Sequence, residues 1–456
     1  MNNILTFNDT ICAIATPCGG AIAIIRLSGE DAIKITSKCF KSVNNKSLED
    51  VQSHTLHYGS IIDENGKEID EVLVSVFRAP HSYTSENATE ISFHGSQYIA
   101  EKILQTLFTA GARQATAGEF TQRAFLNGKL DLSQAEAVAD MIAVTNRAQH
   151  IAAFSQLKGS YAESLKQLRE RLLHLTSLLE LELDFSDHEE LEFADRTQLR
   201  NLTEEIKNHI ESLTKSFSTG EAIKNGIPLA IIGNTNVGKS TLLNVLLQEN
   251  RAIVSDIHGT TRDTIEQTTQ INGLTFRLID TAGIRETNDA IERLGIDRTY
   301  QKIDEATIIL YVTDHSPNEQ EIASIKQIAK GKKLIFVINK IDLHSPTDTL
   351  SEPHVNISAL HNTNIDELKK AIYEAAAIPE IQENTPIVTN LRHYEALKHA
   401  LDSINNVKES FNLNISADLI AEDFRDCISY LGEITGGTIT SQDVLTNIFS
   451  HFCVGK

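Results

Sequence analysis

The stretch "LAIIGNTNVGKSTLLNVLL", residues 229–247, decides the fold of the middle of the chain. Its central part, "GNTNVGKS", fits the pattern G-x-x-x-x-G-K-[ST], follows the apolar strand "LAII" and opens the helix "STLLNVLL". In such a loop the glycines let backbone N–H groups approach phosphates, Lys239 reaches the β and γ oxygens, and Ser240 can ligate Mg²⁺. The sequence therefore predicts a phosphate-binding P-loop.

Motifs further along the chain predict which nucleotide this loop binds. In "RLIDTAG", Asp280 is placed to hold the Mg²⁺ shell and the Gly283 N–H to touch a γ-phosphate. In "INKID", Asp342 can accept hydrogen bonds from N1–H and the exocyclic amine of guanine, a donor pair that adenine lacks. The predicted nucleotide is therefore GTP. The predicted contacts are Asn236, Val237, Gly238, Lys239, Ser240, Thr241, Ser255, Asp256, Ile257, His258, Gly259, Thr260, Thr261, Asp280, Thr281, Ala282, Gly283, Asn339, Lys340, Asp342, Ser358, Ala359 and Leu360.

One position departs from the pattern of Ras-type switches. These place a glutamine after the glycine of "DTAG" to orient the attacking water, whereas this chain has Ile284. An isoleucine side chain neither donates nor accepts a hydrogen bond. Three nearby residues are candidates to replace the glutamine: Arg262, Arg285 and Glu292. The amide oxygen of Asn236 is placed to help hold a monovalent cation beside the phosphates.

Composition describes an ordinary globular protein. The 456 residues are too many for one core and predict about three domains. The five cysteines are odd in number and share no metal-ligand spacing, which favours a reducing compartment. No signal peptide is apparent, and no apolar run approaches the ~20 residues that cross a bilayer, so we expect a soluble, cytoplasmic protein. The net charge of −21 implies that any nucleic acid meets a local basic patch or a partner protein.

The pattern of apolar residues divides the chain into four segments. Residues 1–118 hold β-rich runs such as "AIAIIRLSG" and "EVLVSVFRAP" and one helical run, which predicts a small α+β domain. Residues 119–222 are helical, with leucines from Leu165 to Leu179 spaced as an apolar stripe. Residues 223–379 alternate strands and helices, as in an α/β sheet, and helical character returns in 380–456. The economical interpretation is a helical domain with an α/β domain inserted into it.

Several longer stretches resemble those of one family. "GEFTQRAFLNGKLDLSQAEAVADMI", "DTAGIRETNDAIERLGIDR" and the ending "IFSHFCVGK" resemble signatures of the MnmE (TrmE) family of tRNA modification GTPases. The resemblance implies an N-terminal folate-binding and dimerisation domain, a helical domain, and an inserted Ras-like P-loop GTPase domain. It also implies K⁺-dependent pairing of two GTPase domains. The implied ion ligands are Ser240 and Thr261 for Mg²⁺, and Asn236, Ser255, Ile257 and Thr260 for K⁺, with Glu292 orienting the water.

The same resemblance implies the chemistry. Family members act as homodimers with MnmG, in a heterotetrameric complex, to add a (carboxymethyl)aminomethyl group at C5 of a tRNA wobble uridine. Methylene-tetrahydrofolate supplies the carbon, and the partner supplies FAD and NADH chemistry. The implied folate contacts are Arg26, Glu90, Lys129 and Lys456. The implied catalytic set is Glu292, Lys239 and Cys453, with Arg262 and Arg285 as further candidates.

Two other functions stay open at this point. The first is a GTP-dependent ribosome-assembly factor that binds RNA without modification chemistry. A basic RNA-binding domain after the GTPase segment would favour it, and the sequence contains none. The second is a folate-binding regulator that has lost modification activity. It is kept open by the N-terminal stretch "ATPCGGAIAIIRLSG", which is shorter than the family's glycine-rich turn and lacks its arginine.

Overall fold

The computed structural model describes most of the chain, in two compact units. The described residues are 9–184, 196–248, 267–279, 304–329, 331–343, 350, 352–379, 385–413, 415–437, 445, 448–450, 452 and 454–455. The first unit comprises Met1–Ile142, Gln156–Lys207 and His399–Lys456, and the second comprises Ala143–Ser155 and Asn208–Lys398. The domain limits predicted from the sequence stay predictions.

The first unit begins with a seven-stranded sheet, ordered β3-β4-β5-β6-β2-β1-β7. Its strands are β1 (Ile11–Ile14), β2 (Ile22–Ser28), β3 (Phe40–Ser42), β4 (Thr55–Ile62), β5 (Glu68–Phe77), β6 (Ala88–His94) and β7 (Arg113–Gln114). Neighbours are antiparallel except β1 and β7, which are parallel. Alternate residues such as Ile25, Leu27 and Val74 are buried in one core with helices α1 (Ala32–Cys39) and α2 (Gln97–Thr109). This confirms the predicted α+β arrangement.

Long helices form the rest of the first unit. They are α3 (Glu119–Leu126), α4 (Leu132–Ile142), α6 (Ser160–Asp184) and α12 (Ala417–Thr435), and the unit boundaries fall within α5 (Arg147–Leu157), α7 (Arg196–Asn225) and α11 (Leu391–Asn412). The predicted leucine stripe lies on α6, where its members from Leu165 to Leu179 are almost completely buried. Their spacing places them on one side of the helix, so burial of that side holds α6 in the bundle. Among the described residues, no helix is long and apolar enough to cross a membrane.

The second unit holds a six-stranded sheet, ordered β13-β12-β11-β8-β10-β9. Its strands are β8 (Ile227–Gly233), β9 (Gln267–Ile271), β10 (Leu274–Ile279), β11 (Ile308–Thr313), β12 (Lys333–Ile338) and β13 (His354–Asn356). All neighbours are parallel except β9, the edge strand, which is antiparallel to β10. Helices α8 (Lys239–Gln248), α9 (Glu319–Ile328) and α10 (Ile365–Ala376) connect or flank these strands.

The central strands of this sheet are buried on both faces. In β11, Leu310 packs into one apolar core and Tyr311 into another, because successive side chains point to opposite faces. Continuous apolar runs are typical of parallel strands covered on both sides, which confirms the predicted α/β arrangement. The carboxyl ends of β8, β11, β12 and β13 meet at one edge, where open α/β sheets bind ligands.

Candidate nucleotide-binding site

The predicted P-loop joins the end of β8 to the start of α8. Gly233 has φ +146°, and a Cβ built on it would lie 2.0 Å from the carbonyl oxygen of Val312 in β11. Gly238 has φ +96°, and its Cβ would lie 2.3 Å from Asn339 Nδ2. Both positions therefore require glycine, because the loop backbone runs directly against its neighbours.

Lys239 stands at the first position of α8 and folds back over the loop. Its Nζ donates to the carbonyl oxygens of Gly233, at 2.8 Å, and Asn234, at 2.6 Å. Burial lowers the pKa of Lys239, since desolvation disfavours the charged form. The two acceptors are neutral, so a phosphate would offer the ammonium a stronger, charge-assisted hydrogen bond. The loop thus holds the Lys239 ammonium where phosphate oxygens can replace its two carbonyl partners.

The side chains predicted to meet ions are open to solvent on this loop. Asn236 is exposed and has a left-handed backbone, with φ +61°. Ser240 and Thr241 are exposed in the first turn of α8. An exposed hydroxyl and an exposed amide are oxygen donors of the kind that Mg²⁺ and K⁺ require, so Ser240 and Asn236 fit their predicted roles.

A second set of loops forms the position predicted for the base. Asn339, which is 4% exposed, donates from Nδ2 to the carbonyl oxygen of Val237 at 2.8 Å. Its Oδ1 accepts from the Ala359 N–H at 2.9 Å. One amide therefore ties together the P-loop, the loop after β12 and the loop after β13. The sequence had assigned Asn339 only to nucleotide contact.

The carboxylate of Asp342 is held from one side. Ser358 Oγ, which is buried, donates to Asp342 Oδ1 at 2.6 Å, and His361 Nε2 lies 3.9 Å from Oδ2. A fixed hydrogen bond to one oxygen orients the group that is predicted to accept from guanine. Leu360, in contrast, is 73% exposed.

Asp314 joins this site although sequence reasoning missed it. It directly follows β11, and its Oδ2 accepts from Lys340 Nζ at 3.0 Å. This hydrogen bond is the main cause that lowers the pKa of Asp314, with His315 adding to it. Its position directly after a central strand of the sheet could have indicated that Asp314 belongs to the site, because ligands bind at the carboxyl ends of such strands.

Two of the predicted folate residues, Arg26 and Glu90, lie on the sheet of the first unit. Arg26 and Glu90 face each other across β2 and β6, with Arg26 Nε 2.9 Å and Nη2 2.8 Å from Glu90 Oε1. The Arg26 guanidinium also lies over Tyr83, 5.4 Å from the ring centre. Lys129 and Tyr83 line a cavity of 370 Å³. The structure therefore gathers three of the predicted residues around Tyr83, but Arg26 and Glu90 pair with each other.

A buried charge network behind this cluster was not predicted. Arg123 is 0% exposed and donates to Asp9 Oδ1 at 2.6 Å, Glu119 Oε1 at 3.1 Å and Glu86 Oε1 at 3.3 Å. Burial by itself raises the pKa of Glu119, but hydrogen bonds from Arg113, Thr116 and Arg123 outweigh it and lower the pKa. The network fixes the start of α3, whose Thr121 shares a hydrogen bond of 2.8 Å with Tyr83.

The end of the chain packs against the first sheet. Val454 pairs with Ala117, and a Cβ on Gly455 would lie 2.3 Å from the Ile14 carbonyl oxygen. The remaining predicted site residues lie outside the described residues: Ser255, Asp256, Ile257, His258, Gly259, Thr260, Thr261, Arg262, Asp280, Thr281, Ala282, Gly283, Arg285, Glu292, Cys453 and Lys456.

The strand order, the P-loop lysine and the two loops around Asn339 together define a P-loop GTPase. Comparison with family models adds two matches: "MnmE helical domain" over residues 132–453 and "GTP-binding protein TrmE N-terminus" over residues 10–129. The chain therefore belongs to the MnmE (TrmE) family.

Curated relatives match over nearly the whole chain. The "tRNA modification GTPase MnmE" of Parabacteroides distasonis is 53% identical over 461 residues, covering 98% of this chain and 100% of the relative. The protein of the same name from Phocaeicola vulgatus is 51% identical over 494 residues, covering 98% and 99%. A solved structure of a variant of Aquifex aeolicus Era bound to GDP.AlF4- covers 39% of this chain and 66% of that one at 31% identity, with a TM-score of 0.27, too low to support an inference.

Proposed function

We propose that this chain is a GTPase that acts in the modification of tRNA. The observation that carries the GTPase part is the Asn339 amide, which ties Val237 of the P-loop to Ala359 beside the oriented Asp342 carboxylate. These hydrogen bonds support a site in which the P-loop binds phosphate and Asp342 accepts from guanine. The full-length relatives named tRNA modification GTPases support the second part.

In the proposed reaction the chain's own residues bind and orient GTP. Lys239 exchanges its two carbonyl partners for phosphate oxygens, and the N–H groups at the start of α8 add to the positive field there. Asp342 accepts from the guanine N–H groups. Ser240 would hold Mg²⁺, which neutralises charge on the phosphates when it is bound.

For hydrolysis we infer that Glu292 orients the water that Ile284 cannot hold. Asn236, with the loop Ser255 to Thr260, would hold K⁺ in place of an arginine finger. Pairing of two GTPase domains would complete this site. The exposed amide of Asn236 and its position on the loop beside Lys239 support the proposal.

For the modification we infer a complex with MnmG that adds a (carboxymethyl)aminomethyl group to the wobble uridine, with a folate as the carbon donor. Arg26, Glu90, Lys129 and Lys456 would contact the folate. Tyr83 supports this, because its ring lies against the Arg26 guanidinium and the residue lines the 370 Å³ cavity together with Lys129, so an aromatic side chain is available to a flat ligand there. Cys453, between the described residues Phe452 and Val454, would act in the same step.

The hydrolysis proposal is tested by GTP turnover in K⁺ and in Na⁺. We expect turnover to fall steeply without K⁺ and in Glu292→Ala, because each change removes one part of the site. Glu286→Ala is the matched control, since it removes a neighbouring carboxylate with no proposed role. Normal rates of Glu292→Ala in both salts would refute the mechanism.

The modification proposal is tested by nucleoside mass spectrometry of tRNA from a deletion strain. Modified wobble uridines should disappear and return with the wild type and with Cys18→Ser, but not with Cys453→Ser. Wobble uridines that stay modified in the deletion strain would contradict the proposal.

A further inference from the structure

The first unit contains a cavity whose described lining residues include none of the predicted nucleotide or folate residues. It has a volume of 490 Å³ and lies among the start of α4, the first half of α6 and the end of α12. Leu165 and Leu431, both buried, form its apolar part. Its charged lining residues are Asp131, Glu163, Lys166 and Arg169. This size is in the range of pockets that bind small molecules.

Arg169 is the feature of this cavity that points to a ligand. Its Nε is shielded from solvent and has no hydrogen-bond partner among the described residues. A buried donor without an acceptor is costly and rare in native structures. Two other arginines of the same unit do have carboxylate partners: Arg171 pairs with Glu205, and Arg425 pairs with Glu180. Arg169 thus has no carboxylate partner among the described residues, and because its Nε is closed to solvent, an anion in the cavity would meet its terminal Nη groups.

The charges of the cavity are separated along α6. Glu163, Lys166 and Arg169 are three residues apart, so they follow one side of the helix. With a rise of ~1.5 Å per residue, Glu163 and Arg169 are attached about 9 Å apart along the axis. Lys166 and Arg169 make one end cationic. No ion pair joins either of them to a carboxylate within the described part of the chain.

Two carboxylates, those of Asp131 and Glu163, also line the cavity. Asp131 caps α4, because its Oδ1 accepts from the Gln134 N–H at 2.9 Å and from Ser133 Oγ at 2.6 Å. Glu163 Oε1 accepts from Gln167 Nε2 at 3.3 Å, a long hydrogen bond. Two carboxylates in the lining would repel a polyanion such as an RNA backbone, and Glu163, six residues before Arg169 on α6, suits an N–H donor or an ammonium group.

We propose that this cavity binds a small molecule with separated charges. Its anionic group, a carboxylate or a phosphate, pairs with Arg169 and Lys166, and its amine or N–H group faces Glu163. The guanidinium of Arg169 is the main anchor, since its planar fork matches either anion in a bidentate way. The site is distinct from the P-loop and does not depend on GTP binding.

Calorimetric titration of the full chain with two zwitterionic probes tests this. One probe is 6-aminohexanoate, which carries a carboxylate, and the other is O-phosphoethanolamine, which carries a phosphate. At least one should bind, and the tighter one identifies the anion. Hexanoate and hexylamine each lack one of the two charges of 6-aminohexanoate. Each should bind at least about tenfold more weakly than 6-aminohexanoate, since each loses a charge-assisted hydrogen bond.

Three variants assign the binding to this cavity. Arg169→Gln and Glu163→Gln should each weaken the tighter probe about tenfold. Arg169→Lys should weaken it less, because it keeps the charge and loses only the fork. Arg171→Gln, on the same helix with a carboxylate partner outside the cavity, is the matched control and should bind normally.

Other outcomes overturn the proposal. They are the absence of binding by both probes, equal weakening in Arg169→Gln and Arg171→Gln, and binding of hexanoate as tight as that of 6-aminohexanoate. A single-stranded RNA that binds in an Arg169-dependent manner while neither probe binds would identify a polyanion surface instead. Thermal unfolding of each variant shows whether it is folded. If Arg169→Gln does not fold, Glu163→Gln still tests the site.

Discussion

Two groups of residues use their charges in opposite ways. One is the nucleotide corner of the second unit, formed by Lys239, Asn339 and Asp342. The other is the Arg26 cluster of the first unit, formed by Arg26, Glu90 and Tyr83. In the nucleotide corner the Lys239 ammonium is held by two neutral carbonyl oxygens. In the Arg26 cluster the guanidinium is already paired with the Glu90 carboxylate. A phosphate gains a charge-assisted hydrogen bond by replacing a carbonyl, whereas an anion that approaches Arg26 must compete with another anion. A phosphate can thus replace the partners of Lys239 without competing with another anion, whereas an anion at Arg26 would have to displace Glu90.

The comparison shows where each site draws its rigidity. In the nucleotide corner of the second unit, the Asn339 side chain hydrogen-bonds to backbone groups of the P-loop and of the loop after β13. The Arg26 cluster is made by side chains from separate strands, supported by the buried network around Arg123. Substitutions in the nucleotide corner should therefore weaken ligand binding most. Substitutions in the Arg26 cluster should have smaller effects, because the surrounding network keeps its other hydrogen bonds.

The largest effect is expected for Lys239→Gln. This change removes the preorganised positive charge that would stabilise the phosphates in the transition state. We therefore expect the rate constant of GTP hydrolysis to fall about 10²–10³-fold. Phosphate release under saturating GTP measures it. Lys224→Gln, just before the sheet, is the control. A variant that keeps more than about a tenth of the wild-type rate would break the contrast between the two sites.

Asn339→Ala should have the next largest effect. It leaves the Val237 carbonyl and the Ala359 N–H without their partner in a buried place. We expect a loss of about 2–3 kcal/mol in the free energy of unfolding, together with weaker GDP binding. Urea unfolding of the full chain measures the first quantity. Asn234→Ala, at an exposed position of the P-loop, should change the free energy of unfolding little, and equal losses in both variants would contradict the role of Asn339 as a link between the loops.

The pH dependence of nucleotide binding sharpens the comparison. Burial holds the pKa of Lys239 below the ordinary 10.5, and a bound phosphate favours the charged form and raises this pKa. Binding should therefore take up a proton between the two pKa values, and affinity should fall as the pH rises through this window. Calorimetry in buffers of different ionisation enthalpy measures the uptake. Lys239→Arg, which stays charged, should lose it, and unchanged uptake in that variant would assign the proton to another group.

The smallest effect is expected for Glu90→Gln. It breaks a cross-strand ion pair whose side chains are 24% and 26% exposed. The free energy of unfolding should therefore fall by only about 0.2–1 kcal/mol. Glu68→Gln, which removes a longer and more exposed contact with Lys41, is the control. A loss of several kcal/mol would show that the pair is part of the core.

Much of the fold followed from the order of motifs and from apolar periodicity. The strand before the P-loop, the helix after it and the leucine stripe of α6 are set by residues close together in the chain, and the structure confirms them. The pairing of Arg26 with Glu90 was not predictable in this way. It depends on which residues β2 and β6 bring opposite each other, and those residues are 64 positions apart.

The amino-acid sequence by itself determined the GTPase class, the family and the chemistry of the P-loop, since each rests on local spacing. Only the tertiary structure decided that Asn339 joins three loops, that Arg123 is buried among carboxylates, and that Arg169 faces a cavity without a partner among the described residues. The physical reason is that a side chain's partner is fixed by packing between distant segments. Spacing along the chain can say which groups are available, and packing alone decides which of them are already satisfied.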